Sequence, residues 1–181
     1  MPRVLVPIAD GSEELEAISI VDVLRRGDVD VVLASLTGKM VVASRGTKIV
    51  PDTSLDDALG QEFDMVVLPG GMPGTKHLDA DERIHGLLKK MVDSDRFVGA
   101  VCAAPSVLAH AGLLDGKRAT CFPGFLDNIS ESVSSTNAVV ERDGKIITSR
   151  AAGTAMEFAL EIVEVLCGPE RRQKVEAGLV R

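Results

Sequence analysis

The chain has no tryptophan, no tyrosine and only five phenylalanines among 181 residues. A single-strand nucleic-acid binder needs aromatic platforms on which bases stack, and this chain has few. It also lacks an excess of positive charge. Twenty Lys and Arg stand against 27 Asp and Glu, a formal net charge of −7 at pH 7. Phosphate backbones and anionic membrane surfaces call for local positive charge, so neither nucleic acid nor membrane is an expected partner. Cysteine is scarce. Cys102, Cys121 and Cys167 form no C-x-x-C, and no paired histidines accompany them. That excludes a disulfide framework and a zinc site, and free thiols fit a reducing compartment. Long apolar runs are missing too. The longest weakly polar stretch, Val98 to Leu114, contains Pro105 and His110 and does not read as membrane-spanning. Val4 to Ile8 is too short for the apolar core of a signal peptide, and Asp10, Glu13 and Glu14 follow at once. A cytoplasmic location is expected, with organelle or nucleus left open. There is no Gly-Lys-Ser/Thr phosphate loop, and no G-x-G-x-x-G follows the first strand, so neither a P-loop nor a dinucleotide fingerprint is present.

What is present is a globular core. Apolar residues make up 45% of the chain, and the length suits a single domain over residues 1–181. Val4 to Ile8 reads as a short buried strand, and Asp10-Gly11-Ser12 as a turn. Ser12 is the expected N-cap of a helix running to about Arg26, with Leu15, Ile18, Val21 and Leu24 on one face and Gly27 as its stop. Val29 to Ala34 is a second strand. Met40 to Ala43 and Lys48 to Val50 read as a hairpin, and Leu55 to Leu59 as a short helix. Met65-Val66-Val67-Leu68 is a strand buried on both faces, followed by Pro69-Gly70-Gly71 and a helix over about Asp81 to Val92. Phe97 to Val101 is another buried strand, with Cys102 at its end and a helix to about Ala111 beyond it. Val139 to Arg142 and Lys145 to Thr148 flank the turn signal Asp143-Gly144. Helices over Glu157 to Leu166 and about Glu170 to Leu179 are separated by Gly168-Pro169. Strands alternating with helices predict an α/β fold, a doubly wound, mostly parallel sheet with helices on both faces. Ligands of such sheets bind at the carboxyl ends of the strands, where Asp10–Glu16, Pro69–Gly74 and Cys102–Pro105 fall together.

Cys102 is the sharpest chemical candidate. A cysteine between a strand and a helix lies near unpaired backbone N–H groups and the positive end of the helix dipole, both of which favour the thiolate. Its neighbours, Gly99-Ala100-Val101 and Ala103-Ala104, are small or slender, as a tight nucleophile elbow requires. The alternative is a small buried hydrophobe, the fate of most free cysteines. Gly70-Gly71 is either a tight turn or a cradle whose N–H groups receive an oxyanion. Glu16 lies in the acidic first turn Glu13-Glu14-Leu15-Glu16, which alone reads as solvated. Of the histidines, His85 sits in a surface helix, and His110 lies roughly 12 Å along the axis from Cys102, too far to be its base; His77 follows the glycine loop and either approaches the site or is an ordinary polar surface residue.

Taken together, these segments resemble the ThiJ/PfpI superfamily, and within it the parkinsonism-associated protein deglycase (DJ-one-like) branch. The resemblance rests on Val4-Leu5-Val6-Pro7, Gly11-Ser12-Glu13-Glu14-Leu15-Glu16, Val21 to Gly27, Ser44-Arg45-Gly46, Pro51-Asp52, Val67 to Gly71, Val101 to Pro105 and Thr148-Ser149-Arg150, in the family's order over nearly the whole chain. It implies a flavodoxin-like fold and a homodimer. It makes Cys102 the reactive, easily oxidised cysteine and Glu16 the carboxyl group sharing a proton with its sulfur. It makes the N–H groups of Gly71 and Ala103 the oxyanion site, beside Gly70, and Arg26 and Arg45 the arginines lining the pocket near the dimer interface.

The chain departs from the family pattern in several places. Phe122 stands where many members carry a histidine near the cysteine, Ala103 where the related proteases carry one, and Ala152 where a proline is usual. Protease activity is therefore disfavoured. Ala43 and Val50 replace accessory cysteines, so metal or redox roles at those positions do not transfer. The function the resemblance implies is that of a cofactor-independent, glyoxalase III-type enzyme and deglycase. It would act on methylglyoxal and related 2-oxoaldehydes, free or as glycation adducts, with Cys102 as nucleophile and Glu16 as acid and base. The alternative is a cysteine-oxidation sensor or stress chaperone with little turnover.

Overall fold

The computed structural model describes residues 1–127, 129 and 133–181. In chain order its elements are β1 (Arg3–Ile8), α1 (Glu14–Arg26), β2 (Asp30–Ser35), β3 (Val41–Val42), β4 (Lys48–Ile49), β5 (Thr53–Ser54), α2 (Leu55–Leu59), β6 (Met65–Leu68), α3 (Gly74–Asp79) and α4 (Glu82–Asp93). There follow β7 (Phe97–Val101), α5 (Pro105–His110), β8 (Arg118–Ala119), β9 (Ser134–Ser135), β10 (Val140–Asp143), β11 (Ile146–Ser149), α6 (Ala155–Cys167) and α7 (Pro169–Gly178). Seven strands form one sheet in the order β10-β11-β7-β6-β1-β2-β5. All neighbours in it are parallel except β10 and β11, joined by a hairpin with Gly144 at φ 62°. This is the flavodoxin-like α/β arrangement expected from the sequence.

Alternation along the strands builds two cores. Val4, Val6 and Ile8 of β1 face Ile20, Leu24, Phe158 and Ile162 of α1 and α6. Leu5, Val66 and Leu68 face the other layer, where Ile84, Leu88 and Leu108 of α4 and α5 pack. Each side of the sheet is thus closed by helices, and the central strands stay apolar on both faces.

Two expectations for α1 are corrected. Its N-cap is Glu13, whose side chain accepts the Leu15 N–H, and not Ser12. Ser12 is fully buried, and its Oγ instead accepts the Ala9 N–H at 3.0 Å, closing the turn after β1. The apolar stripe is also rotated. Leu15 and Ile18 are 54% and 44% exposed, while Glu16, Ala17, Ile20, Val21, Val23 and Leu24 are buried. The helix packs on α6 and β2 with the turn that carries Glu16 facing the sheet. That orientation places a carboxyl group, and not a leucine, under the strand ends.

Candidate active site

Three strand ends meet at the site. β1 leads through the Asp10–Glu13 turn into α1, which carries Glu16. β6 ends in the Gly70-Gly71 loop, and β7 delivers Cys102. A hydrogen bond clamps the first two together, Glu13 N to Gly70 O at 2.8 Å, and Thr75 N to Gly71 O at 2.9 Å closes the glycine loop itself. Neither glycine tolerates a side chain. A Cβ on Gly70 would stand 2.7 Å from Cys102 Cβ and 2.8 Å from Glu16 Oε2, and one on Gly71, at φ 92°, would stand 2.3 Å from Glu13 N.

Cys102 has a φ of 64°, the left-handed region that a residue with a Cβ rarely adopts. Its N–H donates to Ser149 O on β11 at 3.0 Å, and its carbonyl accepts the Phe122 N–H at 2.8 Å. The turn is therefore held from both sides, as local strain at a functional residue must be. The small neighbours seen in the sequence are those such an elbow needs.

Glu16 is completely buried. Its Oε2 accepts the Gly70 N–H at 2.7 Å, and the carboxyl group interacts with the Cys102 thiol. Its Oε1 is buried with no nitrogen or oxygen partner among the described residues. Burial pushes the carboxyl up to about 7, against the lowering effect of the Gly70 and Cys102 hydrogen bonds, and the nearby charge of Glu13 adds to the rise. Burial also pushes the Cys102 thiol up, to about 12, with the charge and hydrogen bond of Glu16 adding to it. The N–H groups of Ala103 and Gly71 act on the sulfur in the lowering direction.

Two expectations change here. The thiol does not have a depressed pKa by virtue of its position alone, because burial and the Glu16 charge outweigh the N–H groups, and α5 is only six residues long. A proton on Glu16 removes the charge that adds to this rise, while burial still opposes the thiolate. The Gly70 N–H, in turn, serves Glu16 and not an oxyanion; the groups on the sulfur are those of Gly71 and Ala103.

Above Cys102 opens a cleft of about 370 Å³, lined by Glu13, Arg45, Met72 and Phe122 among others, with Ala151, Ala152 and Gly153 as one wall. Glu13 is steadied by Ser44, whose Oγ lies 2.7 Å from Glu13 Oε2 and 3.0 Å from Glu14 Oε2. Glu14 accepts the N–H groups of Arg45 and Thr47. Arg26 is not part of this cleft within one protomer. It lies at the far end of α1, paired with Asp22 at 2.6 Å. A larger cleft of about 650 Å³, at the ends of β1 and β2, holds no cysteine.

The family follows from the whole chain. The DJ-1/PfpI family profile matches residues 2–165. The chain belongs to the DJ-1/PfpI family. It is 45% identical over 172 residues to protein DJ-1 homolog B of Arabidopsis thaliana, covering 94% of this chain and 39% of that protein. With protein dj-1beta of Drosophila melanogaster it shares 42% over 178 residues, covering 97% of this chain and 95% of the relative. The crystal structure of that Drosophila protein superposes with a TM-score of 0.96 at 41% identity, over 99% of this chain and 97% of the other. A Caenorhabditis elegans relative, 40% identical over 171 residues (93% of this chain, 89% of the relative), is named glutathione-independent glyoxalase DJR-1.2. The chain spans about two fifths of the length of the Arabidopsis proteins it matches.

No histidine lines the cleft of this DJ-1/PfpI chain among the described residues. His77 Nδ1 pairs with Asp10 O, and His85 and His110 both pair with Asp79. No group of His, Cys, Asp and Glu able to hold a metal ion occurs among the described residues. Sequence reasoning missed Met72, Phe125 and the Glu13–Ser44 contact. Met72 directly follows the glycine pair, and Phe125 stands three residues after Phe122, so adjacency and spacing were the available signals.

Proposed function

We propose that this chain is a cofactor-independent glyoxalase and deglycase acting on methylglyoxal-type 2-oxoaldehydes. The observation that carries the reading is the pair at the elbow: Cys102 held at φ 64° against a buried Glu16 whose carboxyl titrates near neutrality, with two N–H groups on the sulfur. A relative named as a glyoxalase supports it. The Cys102 sulfur bonds to the aldehyde carbon, and the carbonyl electron pair moves to oxygen, facing Gly71 and Ala103 N–H. Glu16 passes the former thiol proton to that oxygen, and as a carboxylate it then takes the proton from the same carbon and returns it to the adjacent, former ketone carbon, while the hydroxyl proton moves to the second oxygen. The first carbon is thereby oxidised and the second reduced within the substrate, so no outside oxidant or reductant enters. Water then cleaves the thioester, restoring the thiol and releasing a 2-hydroxy acid. Glu16 suits these transfers because a group titrating near 7 is an efficient acid and base at neutral pH. Glycation adducts that release or present the same aldehyde carbon would be drained by the same nucleophile.

The test is lactate formation from methylglyoxal, followed by proton NMR. Many lactates per chain are expected, with none from Cys102→Ser. Loss of methylglyoxal without lactate would refute turnover. A second reading, an oxidation sensor or chaperone, is favoured by the lack of a histidine at the cleft, which leaves Glu16 alone to activate water. Glu16→Gln separates the two. An enzyme loses turnover with Cys102 still open to alkylation, whereas a sensor loses control over the oxidation state at which Cys102 stops.

We also propose a homodimer built on the outer face of α1. Leu15 and Ile18 are exposed there, and Val50 is 76% exposed. The segment carrying Val50 is tied along α1 by Thr47 N to Glu14 and by Arg25 to Asp52.

A further inference from the structure

The chain has five phenylalanines and no other aromatic residue. Phe63 and Phe158 are buried in the two cores, and Phe97 packs partly against one of them. The other two, Phe122 and Phe125, stand at the mouth of the Cys102 cleft with ring centroids 6.1 Å apart at 81°, edge to face. Phe122 is 46% exposed and Met72, which also lines the cleft, 40%. Two large apolar side chains are thus held partly open to water beside Cys102. Phe122 is also fixed relative to that nucleophile, because its N–H donates to the Cys102 carbonyl and its own carbonyl accepts the Phe125 N–H. The polar lining is sparse and mixed, Arg45 opposite Glu13 and Glu16. An anionic substituent would meet two carboxyl groups, whereas an uncharged apolar one would meet thioether, aryl and methyl surface.

We propose that Phe122 and Met72 are specificity residues that make the cleft prefer aldehydes with an aryl substituent over those with a methyl. Phenylglyoxal is then a better substrate than methylglyoxal. The inference rests on the aldehyde chemistry of Cys102 proposed above and adds the class of substituent. When the sulfur bonds to the aldehyde carbon and the oxygen faces Gly71 and Ala103, the substituent extends toward the rim. A phenyl ring there reaches the edge-to-face contact of Phe122 and the sulfur of Met72, and a methyl group reaches neither. Aromatic and sulfur–aromatic contacts of this kind favour the larger substituent by about tenfold.

Two measurements on the full chain test this independently. The first compares kcat/KM for phenylglyoxal and methylglyoxal, read as mandelate and lactate, in the parent, Phe122→Ala and Met72→Ala. The phenyl-to-methyl ratio is expected to fall about tenfold in Phe122→Ala. An unchanged ratio with turnover intact would overturn the specificity role and leave the enzyme reading standing. The second measures how phenylacetaldehyde and acetaldehyde protect Cys102 from iodoacetamide; both bond to the thiol but have no second carbonyl to rearrange. Protection by phenylacetaldehyde at about tenfold lower concentration, abolished in Phe122→Ala, supports the preference even if neither oxoaldehyde turns over, an outcome that removes only the enzyme reading. Equal protection by both aldehydes overturns the preference.

Discussion

Glu16 occupies a position that the core would otherwise give to a leucine. Its carboxyl is fully buried, one oxygen satisfied by Gly70 and the other without a hydrogen-bond partner among the described residues. Burial raises it from 4.5 to about 7, so between those values the folded chain holds a proton that the unfolded chain has released. Stability therefore falls as pH rises through that window and levels off above it. Glu16→Gln keeps an acceptor for the Gly70 N–H and removes the charge. The variant is expected to be more stable than the parent at about pH 8, by up to about 3 kcal/mol, and to match it at about pH 4. Urea denaturation at the two pH values checks this. A difference of the same size at both would mean that the carboxyl is not held in its neutral form by the fold. At this scale Cys102 was legible because its small neighbours signal a tight turn. The burial of Glu16 was not, since three acids in a first turn read as solvated until the helix is rotated against the sheet.

The elbow and the glycine loop form the candidate site only as a pair of elements. β7 and β11 hold Cys102 in a left-handed turn, and the Gly70-Gly71 loop closes over it because no side chain intervenes. Gly71→Ala puts a Cβ 2.3 Å from Glu13 N at a φ of 92°. It is expected to cost roughly 1–3 kcal/mol of stability. It should also shift the N–H that faces the Cys102 sulfur, slowing alkylation of the thiol. Equilibrium denaturation and the rate of iodoacetamide reaction at Cys102 would measure both, and an unstrained, fully reactive variant would refute the close packing. Strands β1, β6 and β7 and both hairpins were readable from apolar runs and turn residues. The short helix α3 was not, because Gly74–Asp79 is too brief to display a helical period. The N-cap moved from Ser12 to Glu13 for a tertiary reason, since Ser12 is drawn into the turn beneath the glycine loop.

For the whole molecule, the exposed outer face of α1 is the feature that a single copy leaves unused. A dimer through Leu15, Ile18 and Val50 would bury it, and light scattering should give about twice the 19.1 kDa chain mass. Ile18→Glu places four charges across a two-fold contact with the neighbouring Glu14 pair and should yield a folded monomer. A parent protein that runs as a monomer at micromolar concentration would remove the proposal. Arg26, paired with Asp22 at the far end of the same helix, is positioned to matter to the cleft only through such an assembly.

The sequence by itself determined the α/β class, the order of the main strands, the family and Cys102 as the candidate nucleophile. Those follow from periodicity, turn residues and local motifs, which act over a few residues. The tertiary structure decided what the charges do. It turned α1 so that Glu16 points inward and Leu15 outward, assigned the Gly70 N–H to that carboxyl, and brought Met72 and Phe122 to one cleft. Electrostatics and packing depend on what lies across space, and residues 16, 70, 72, 102 and 122 meet only after three strand ends have been brought to one side of the sheet.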